Sequence, residues 1–308
     1  MSSSPLATGR ARCRRKRWTR RGASSARYGR RSATAGPRPP LAGPDPGRQP
    51  PPVQVPGRAR RKPRGARRCA VVINFHEHPW RGVGEHNASL GIDRMVLLAD
   101  RDTNDLVCEM AEREPGRYIP FYRADVTDIP KSCDELRHYV RHRGVRGVKF
   151  QPLVQQIAVD DRRLYPFYEV CQELGAIVLF HSGVVAFPDH HVKYANPVHA
   201  DTVAWDFPDL RIVIAHLGGN YSYEALVICS NHPHVYMDTA YLHFFCDRSL
   251  PRVEPIDLVK RAVRFCGAEK ILFGSEGVEP SLIANSDLPE EDKALILSGS
   301  ALKLLGEA

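Results

Sequence analysis

No run of about 18 or more apolar residues occurs anywhere in the chain, so the sequence offers no transmembrane helix. Among its eight cysteines there is no Cys-x-x-Cys pair. That excludes a disulfide framework and suits a reducing cytoplasm. Cys108, Cys133, Cys171, Cys229 and Cys266 fall in expected helices, where a free cysteine acts as a small hydrophobe. A glycine-rich phosphate fingerprint is also missing: the first apolar run leads into "FHEHPWRGVG". Acids are almost absent from residues 1–68, which hold 18 Arg and 2 Lys against Asp45 alone. That segment carries +19 of a chain total of +9, which leaves −10 for residues 69–308.

Residues 1–68 are also poor in aliphatic side chains, rich in proline and without periodicity. They cannot bury enough surface to offset the entropy of ordering, so a disordered tail is expected. An organelle transit peptide, a phosphate-neutralising arm and a start codon assigned too far upstream are the competing readings. A solvated tail or a mis-assigned start weighs most. No sequence-specific nucleic-acid partner and no membrane partner is expected.

After Arg68 the texture changes. "CAVVINF", "IDRMVLL", "YIPFYRA", "VRGVKF", "AIVLF", "LRIVIA", "HVYMDT" and "KILFGS" are eight candidate strands separated mostly by helical patterns. The Ser132–Glu135 spacing predicts a capping box, Gly144 the end of the helix that follows, and Gly175 the end of the next. This alternation predicts a parallel sheet with helices outside. Residues 69–308 number 240, close to the ~250 of a (β/α)₈ TIM barrel. The expected fold is that α/β barrel, behind the tail.

Barrels of this kind do chemistry at the C-terminal ends of their strands. The expected ends are His76-Glu77-His78, Lys149 to Gln151, His181, His216, Asp238 and Glu276. In "FHEH" the two histidines sit at i and i+2 of a strand and face one way. A lone His-x-His on a strand is more often a surface or hydrogen-bonded core pair, and a single histidine after a strand, such as His181 or His216, more often a satisfied core residue. Four imidazoles and an acid on one rim form a donor set for Zn²⁺ or a similar divalent ion. Tyr241, with His243, Phe244 and Phe245, follows strand 7, and His190, His191, Lys193 and Tyr194 lie in the loop after strand 5. His138, His142, His199, His232 and His234 are expected to be structural.

"FHEHPW", the block "GVRGVKFQPLVQQIAVDDRRLYPFYEVCQELGAIVLFHSG", "FPDLRIVIAHLGG" and "EKILFGSE" together resemble the amidohydrolase superfamily. The branch concerned is the amidohydrolase-related one, which also contains metal-dependent non-oxidative decarboxylases. The resemblance runs over Val71 to Gly306. It implies a TIM barrel with His76, His78 and His181 as metal ligands and His216 as a further ligand or the acid/base beside the metal. The family usually has Asp after strand 8, where this chain has Glu276, and Asn in the last helix, where it has Ser300. The connection from strand 1 to strand 2, Trp80 to Gly91, is short.

Glu276 is expected to ligate the ion or to take a proton as base. Lys149, Gln151 and Tyr241 are expected in the pocket, with Lys149 paired to Glu276 or to a substrate anion. The ion is expected to be Zn²⁺, with Mn²⁺ or another divalent ion as the alternative. The reaction expected first is hydrolysis of a small-molecule amide, lactone or ester by a metal-activated water. Non-oxidative decarboxylation with the same groups is the alternative. A degenerate barrel that only binds is the reading from another class. The enzyme is expected in the cytoplasm with a small-molecule substrate, and a homo-oligomer is compatible with the sequence.

Overall fold

The computed structural model describes residues 71–184 and 190–308. The expected tail, 1–68, lies outside them, as do Phe187 and its neighbours in the loop after strand 5. The eight expected strands are present as β1 (Ile73–Glu77), β2 (Arg94–Leu98), β3 (Tyr118–Tyr122) and β4 (Gly147–Phe150), followed by β5 (Ile177–Phe180), β6 (Ile212–Ile214), β7 (Val235–Asp238) and β8 (Ile271–Leu272). Each pairs in parallel with the next in chain order. The ring is drawn together where the Phe75 amide donates to Phe273 O at 2.7 Å and the Ser275 amide to Asn74 Oδ1 at 2.9 Å.

Alternation along the strands creates two apolar layers. Ile73, Phe75, Val96, Leu98, Ile119, Phe121, Ile177, Leu179, Val213 and Leu272 form the inner one. Their neighbours Met95, Leu97, Val148, Phe150, Val178, Phe180, Ile212 and Ile214 pack outward against the helices. Burying each large apolar side chain contributes about 1.5–3 kcal/mol. Ala301, Leu304 and Leu305 of the last helix, Ser300–Leu305, join the inner layer. Arg211, just before β6, donates to Leu304 O at 2.6 Å, and Arg94 at the start of β2 pairs with Glu307 at 2.7 Å. The last helix therefore covers the N-terminal end of the barrel and leaves the opposite rim for chemistry. Ser300, where the resembling family has Asn, is buried and donates to Ala268 O at 3.0 Å.

The expected capping box does not form. The helix Ile129–His142 begins before Ser132, and its cap is Asp128, which accepts from the Lys131 amide at 3.1 Å. Pro130 in the first turn, with φ already set for a helix, favours this earlier start. Ser132 instead holds Asp125, and Glu135 accepts from the Tyr122 hydroxyl at 2.7 Å. The helix ends as expected beside Gly144, and Tyr165–Leu174 ends on Gly175 at φ 63°. The five cysteines expected in helices all lie in helices. Among the described residues no helix is long and apolar enough to cross a membrane.

Candidate functional site

The last inward positions of the strands are polar. On β1 the inward residues are Ile73 and Phe75, and simple alternation would turn His76 outward. The pairing Asn74↔Met95 followed by Glu77↔Leu97 leaves one extra residue on β1, a bulge that re-aims the strand. His76 and His78 then both reach the rim, while Glu77 is held behind by Asn74 at 3.2 Å and Asn87 at 3.0 Å.

Glu276 gathers these imidazoles. One oxygen lies 3.5 Å from His76 Nε2 and 3.7 Å from His216 Nδ1, and the other 3.5 Å from His78 Nε2. His76, His216 and Glu276 each offer a ligand atom within 4.8 Å of one another. His78 sits at the outer side, its Nδ1 3.2 Å from Asp100. His181 lies behind His216, with Nδ1 3.1 Å from His216 Nε2.

Backbone strain concentrates on this rim. His216 (φ 61°), Leu217 (φ 45°), Tyr241 (φ 58°) and Glu276 (φ 42°) all adopt left-handed conformations without being glycine. Each costs about 1–3 kcal/mol and persists because its surroundings enforce it. The glycines of "HSG" and "HLGG" serve close approach: a Cβ on Gly219 would lie 2.6 Å from Gly183 Cα. Any side chain there would part the loops carrying His181 and His216.

The donor chemistry of the cluster fits a cation. His181 Nε2 faces Gly183 O at 3.0 Å, and His216 Nδ1 faces Ala240 O at 2.9 Å. Carbonyl oxygens only accept, so each of those nitrogens carries the proton of its neutral ring. The remaining nitrogens, His181 Nδ1 and His216 Nε2, then point lone pairs at each other. A divalent ion that took the His181 lone pair would resolve the arrangement and leave His216 Nε2 free to exchange a proton. The residues to hold it come from His76, His78, His181, His216 and Glu276.

Burial sets the charges. It holds His76 and His216 well below the ordinary imidazole value, with Lys149 and the neighbouring imidazoles adding to the effect, and brings His181 down to about 3. Burial also lowers Lys149 to about 8, and it raises Asp238 and Glu276 from their ordinary values. The His78 hydrogen bond keeps Asp100 low. For His181 the unfolded ring takes a proton near 6.5 and the folded ring only near 3. The unfolded state therefore binds more protons between those values, and stability rises with pH across that window. Metal-free protein is expected to lose stability as pH falls below 6.5, and His181→Asn to flatten the slope by up to about 1.4 kcal/mol per pH unit. Urea midpoints measured against pH check this; parallel slopes for parent and variant would refute it. Asp238 and Glu276 act with the opposite sign, from the unfolded carboxylate range near pH ~4 upward, so the parent–variant difference is the quantity to read.

The three expected pocket residues all lie at the rim. Lys149 does not pair with Glu276: its ammonium donates to His76 Nε2 at 3.1 Å, and Glu276 acts on it only through the field. Gln151 has a buried Oε1 without a partner among the described residues. Tyr241 stacks on Phe244 at 4.8 Å, with its ring 6.3 Å from His216.

Sequence reasoning gave Asp238 no role and overlooked Asp100 and Arg123. Period-two counting from Leu98 and Phe121 would have flagged the last two. Asp100 and Arg123 line a cavity of about 540 Å³ among the loops after β2, β3 and β4, whose lining includes none of the clustered histidines or Glu276. Arg123 is half-buried, and among the described residues no hydrogen bond or ion pair holds its guanidinium. The roomier groove, about 1030 Å³, lies outside the barrel between Ile129–His142 and Tyr165–Leu174 and shares no residue with the cluster.

Comparison with known proteins gives four findings. The family profile described as Amidohydrolase matches residues 79–306, so His76 and His78 stand just ahead of the matched segment. Over 240 residues the chain is 25% identical to 2-amino-3-carboxymuconate-6-semialdehyde decarboxylase of Dictyostelium discoideum, covering 66% of this chain and 65% of that one. Over 112 residues it is 31% identical to 2-keto-4-carboxy-3-hexenedioate hydratase of a Sphingobium strain, covering 32% and 33%. The chain thus spans less than two thirds of the length of either relative. In fold it is similar to 2,6-dihydroxybenzoate decarboxylase from Rhizobium, with a TM-score of 0.62 and 14% identity over 77% of this chain and 98% of that one.

Proposed function

This chain belongs to the amidohydrolase family, and we propose that within it the protein is a metal-dependent non-oxidative decarboxylase of a small unsaturated or aromatic carboxylic acid. The observation that carries this reading is the similarity to a carboxymuconate-semialdehyde decarboxylase along 240 residues. The rim supports it with cations placed for an anionic substrate: Lys149 beside His76, and Arg123 with its guanidinium unclaimed.

His76, His78, His181 and Glu276 would hold the divalent ion, with His216 adjoining. When bound, the ion supplies positive charge that anchors a substrate carboxylate and a neighbouring oxygen. The carbon–carboxyl bond breaks, its electron pair stays on a carbon conjugated to an acceptor, CO₂ leaves, and a proton replaces it. His216, 3.7 Å from Glu276, delivers that proton. Arg123 anchors a second anionic group, and Gln151 Oε1 accepts from a substrate hydroxyl or amine.

Arg123→Met is expected to raise KM by about 10–100-fold, the worth of a charged hydrogen bond at about 1.5–3 kcal/mol, with kcat changed far less. An unchanged KM would remove Arg123 from the pocket. The reaction itself is tested by offering metal-loaded protein carboxyl-labelled unsaturated and aromatic acids beside a panel of amides, lactones and esters. Metal-dependent release of labelled CO₂ is expected. Hydrolysis of the second panel without CO₂ from the first would overturn the decarboxylase reading in favour of the hydrolysis expected from the sequence.

A further inference from the structure

Asp238 ends β7 and is fully buried. Both of its oxygens are occupied. Oδ1 accepts from the His216 amide at 2.9 Å and the Ala240 amide at 3.1 Å, while Oδ2 lies 2.8 Å from His76 Nδ1. One carboxylate thus joins the imidazole from β1 to the left-handed turn after β6 that carries His216.

We propose that Asp238 is a positioning residue that fixes the tautomer of His76, keeping the proton on Nδ1 and the Nε2 lone pair turned toward the metal position. Two independent contacts assign the same tautomer. A carboxylate only accepts, so it requires Nδ1–H. On the other side of the ring the Lys149 ammonium, which only donates, lies 3.1 Å from Nε2 and requires a lone pair there. That ammonium is a cation already directed at the nitrogen a metal ligand would use. The same carboxylate holds His216, so its second effect is to keep the acid/base imidazole in register with the ligand. A carboxylate behind a ligating histidine orients the ring and raises its basicity. The proposal rests on the metal reading of the site and is independent of which reaction the site performs.

Asp238→Asn is the decisive change because it is isosteric, keeps the two backbone contacts and reverses the one to His76 Nδ1, which in turn sets Nε2–H against the Lys149 ammonium. Two backbone amides demand an acceptor, so the Asn Oδ1 must stay on His216 and Ala240. Its NH₂ then faces His76 Nδ1 and donates, which moves the ring proton to Nε2. Two measurements, neither using a substrate, read the result. Long-range proton–nitrogen NMR on metal-free protein, with His76 assigned by the loss of its signals in His76→Ala, should show Nδ1–H in the parent and Nε2–H in Asp238→Asn. Competition with a chelator should show the divalent-ion Kd weakened by about 10–100-fold. Nε2–H in the parent overturns the proposal without any variant. So does an Asp238→Asn protein that binds metal as tightly as the parent. A protein that shows the tautomer change and the weaker Kd yet releases no CO₂ would uphold this inference while refuting the decarboxylase reading.

Discussion

Glu276→Gln is expected to leave the barrel folded and to lower turnover by at least about 10²–10⁴-fold, the range for loss of a positioned acid or base. The carboxylate reaches three of the four rim imidazoles, at 3.5 Å from His76, 3.5 Å from His78 and 3.7 Å from His216. Glutamine keeps the length and removes the charge. Glu276→Asp separates length from charge. The side chain reaches the imidazoles from a left-handed backbone at φ 42°, so shortening it by one methylene withdraws the oxygens from all three. Loss of activity is therefore expected for Asp as well, although Asp is the usual residue in the family the sequence resembles. Parent-like turnover in Glu276→Gln would reduce Glu276 to a rim residue. Improved turnover in Glu276→Asp would show that the longer arm fits poorly.

His76→Ala is expected to strip most of the bound metal, weakening the Kd by more than the ~10–100-fold of an outer contact, and to cost activity by orders of magnitude. It also leaves Asp238 Oδ2 buried without its 2.8 Å partner, a stability loss of about 1–3 kcal/mol. His78→Ala and His181→Ala are expected to lower metal occupancy in the same way. His216→Ala is expected to keep the metal and lose rate, because its role is to supply protons. Metal content by elemental analysis and CO₂ release by trapping measure the two effects separately. Full occupancy in all three ligand variants would show that the histidines serve another purpose. Metal loss in His216→Ala equal to that in His76→Ala would make His216 a ligand.

The barrel was legible because its signals are local. Each of the eight strands is a short apolar run whose alternation assigns Leu179 inward and Phe180 outward without reference to any other segment. The rim histidines were legible for the same reason: each lies at or just past the end of its strand. What the sequence hid depends on contacts between distant segments. The bulge in β1 exists only as a register against β2. Asp238 read as a strand terminus because its partners, His76 and His216, come from β1 and the turn after β6. The same holds for Lys149, expected to pair with a carboxylate and found against an imidazole. Ser132 misled for a local reason: two serviceable caps stand four residues apart, and Asp128 with Pro130 outweighs it.

Anomalous diffraction from crystals of the full chain soaked with Mn²⁺ or Zn²⁺ tests the central claim most directly. The account predicts a single strong peak on the C-terminal rim of the barrel, about 2.0–2.2 Å from His76 Nε2 and from an oxygen of Glu276, with His78, His181 and His216 around it. The same map decides which of those three completes the shell. A peak elsewhere in the protein, or none on this rim at saturating metal, would contradict the claim that these residues form a metal centre.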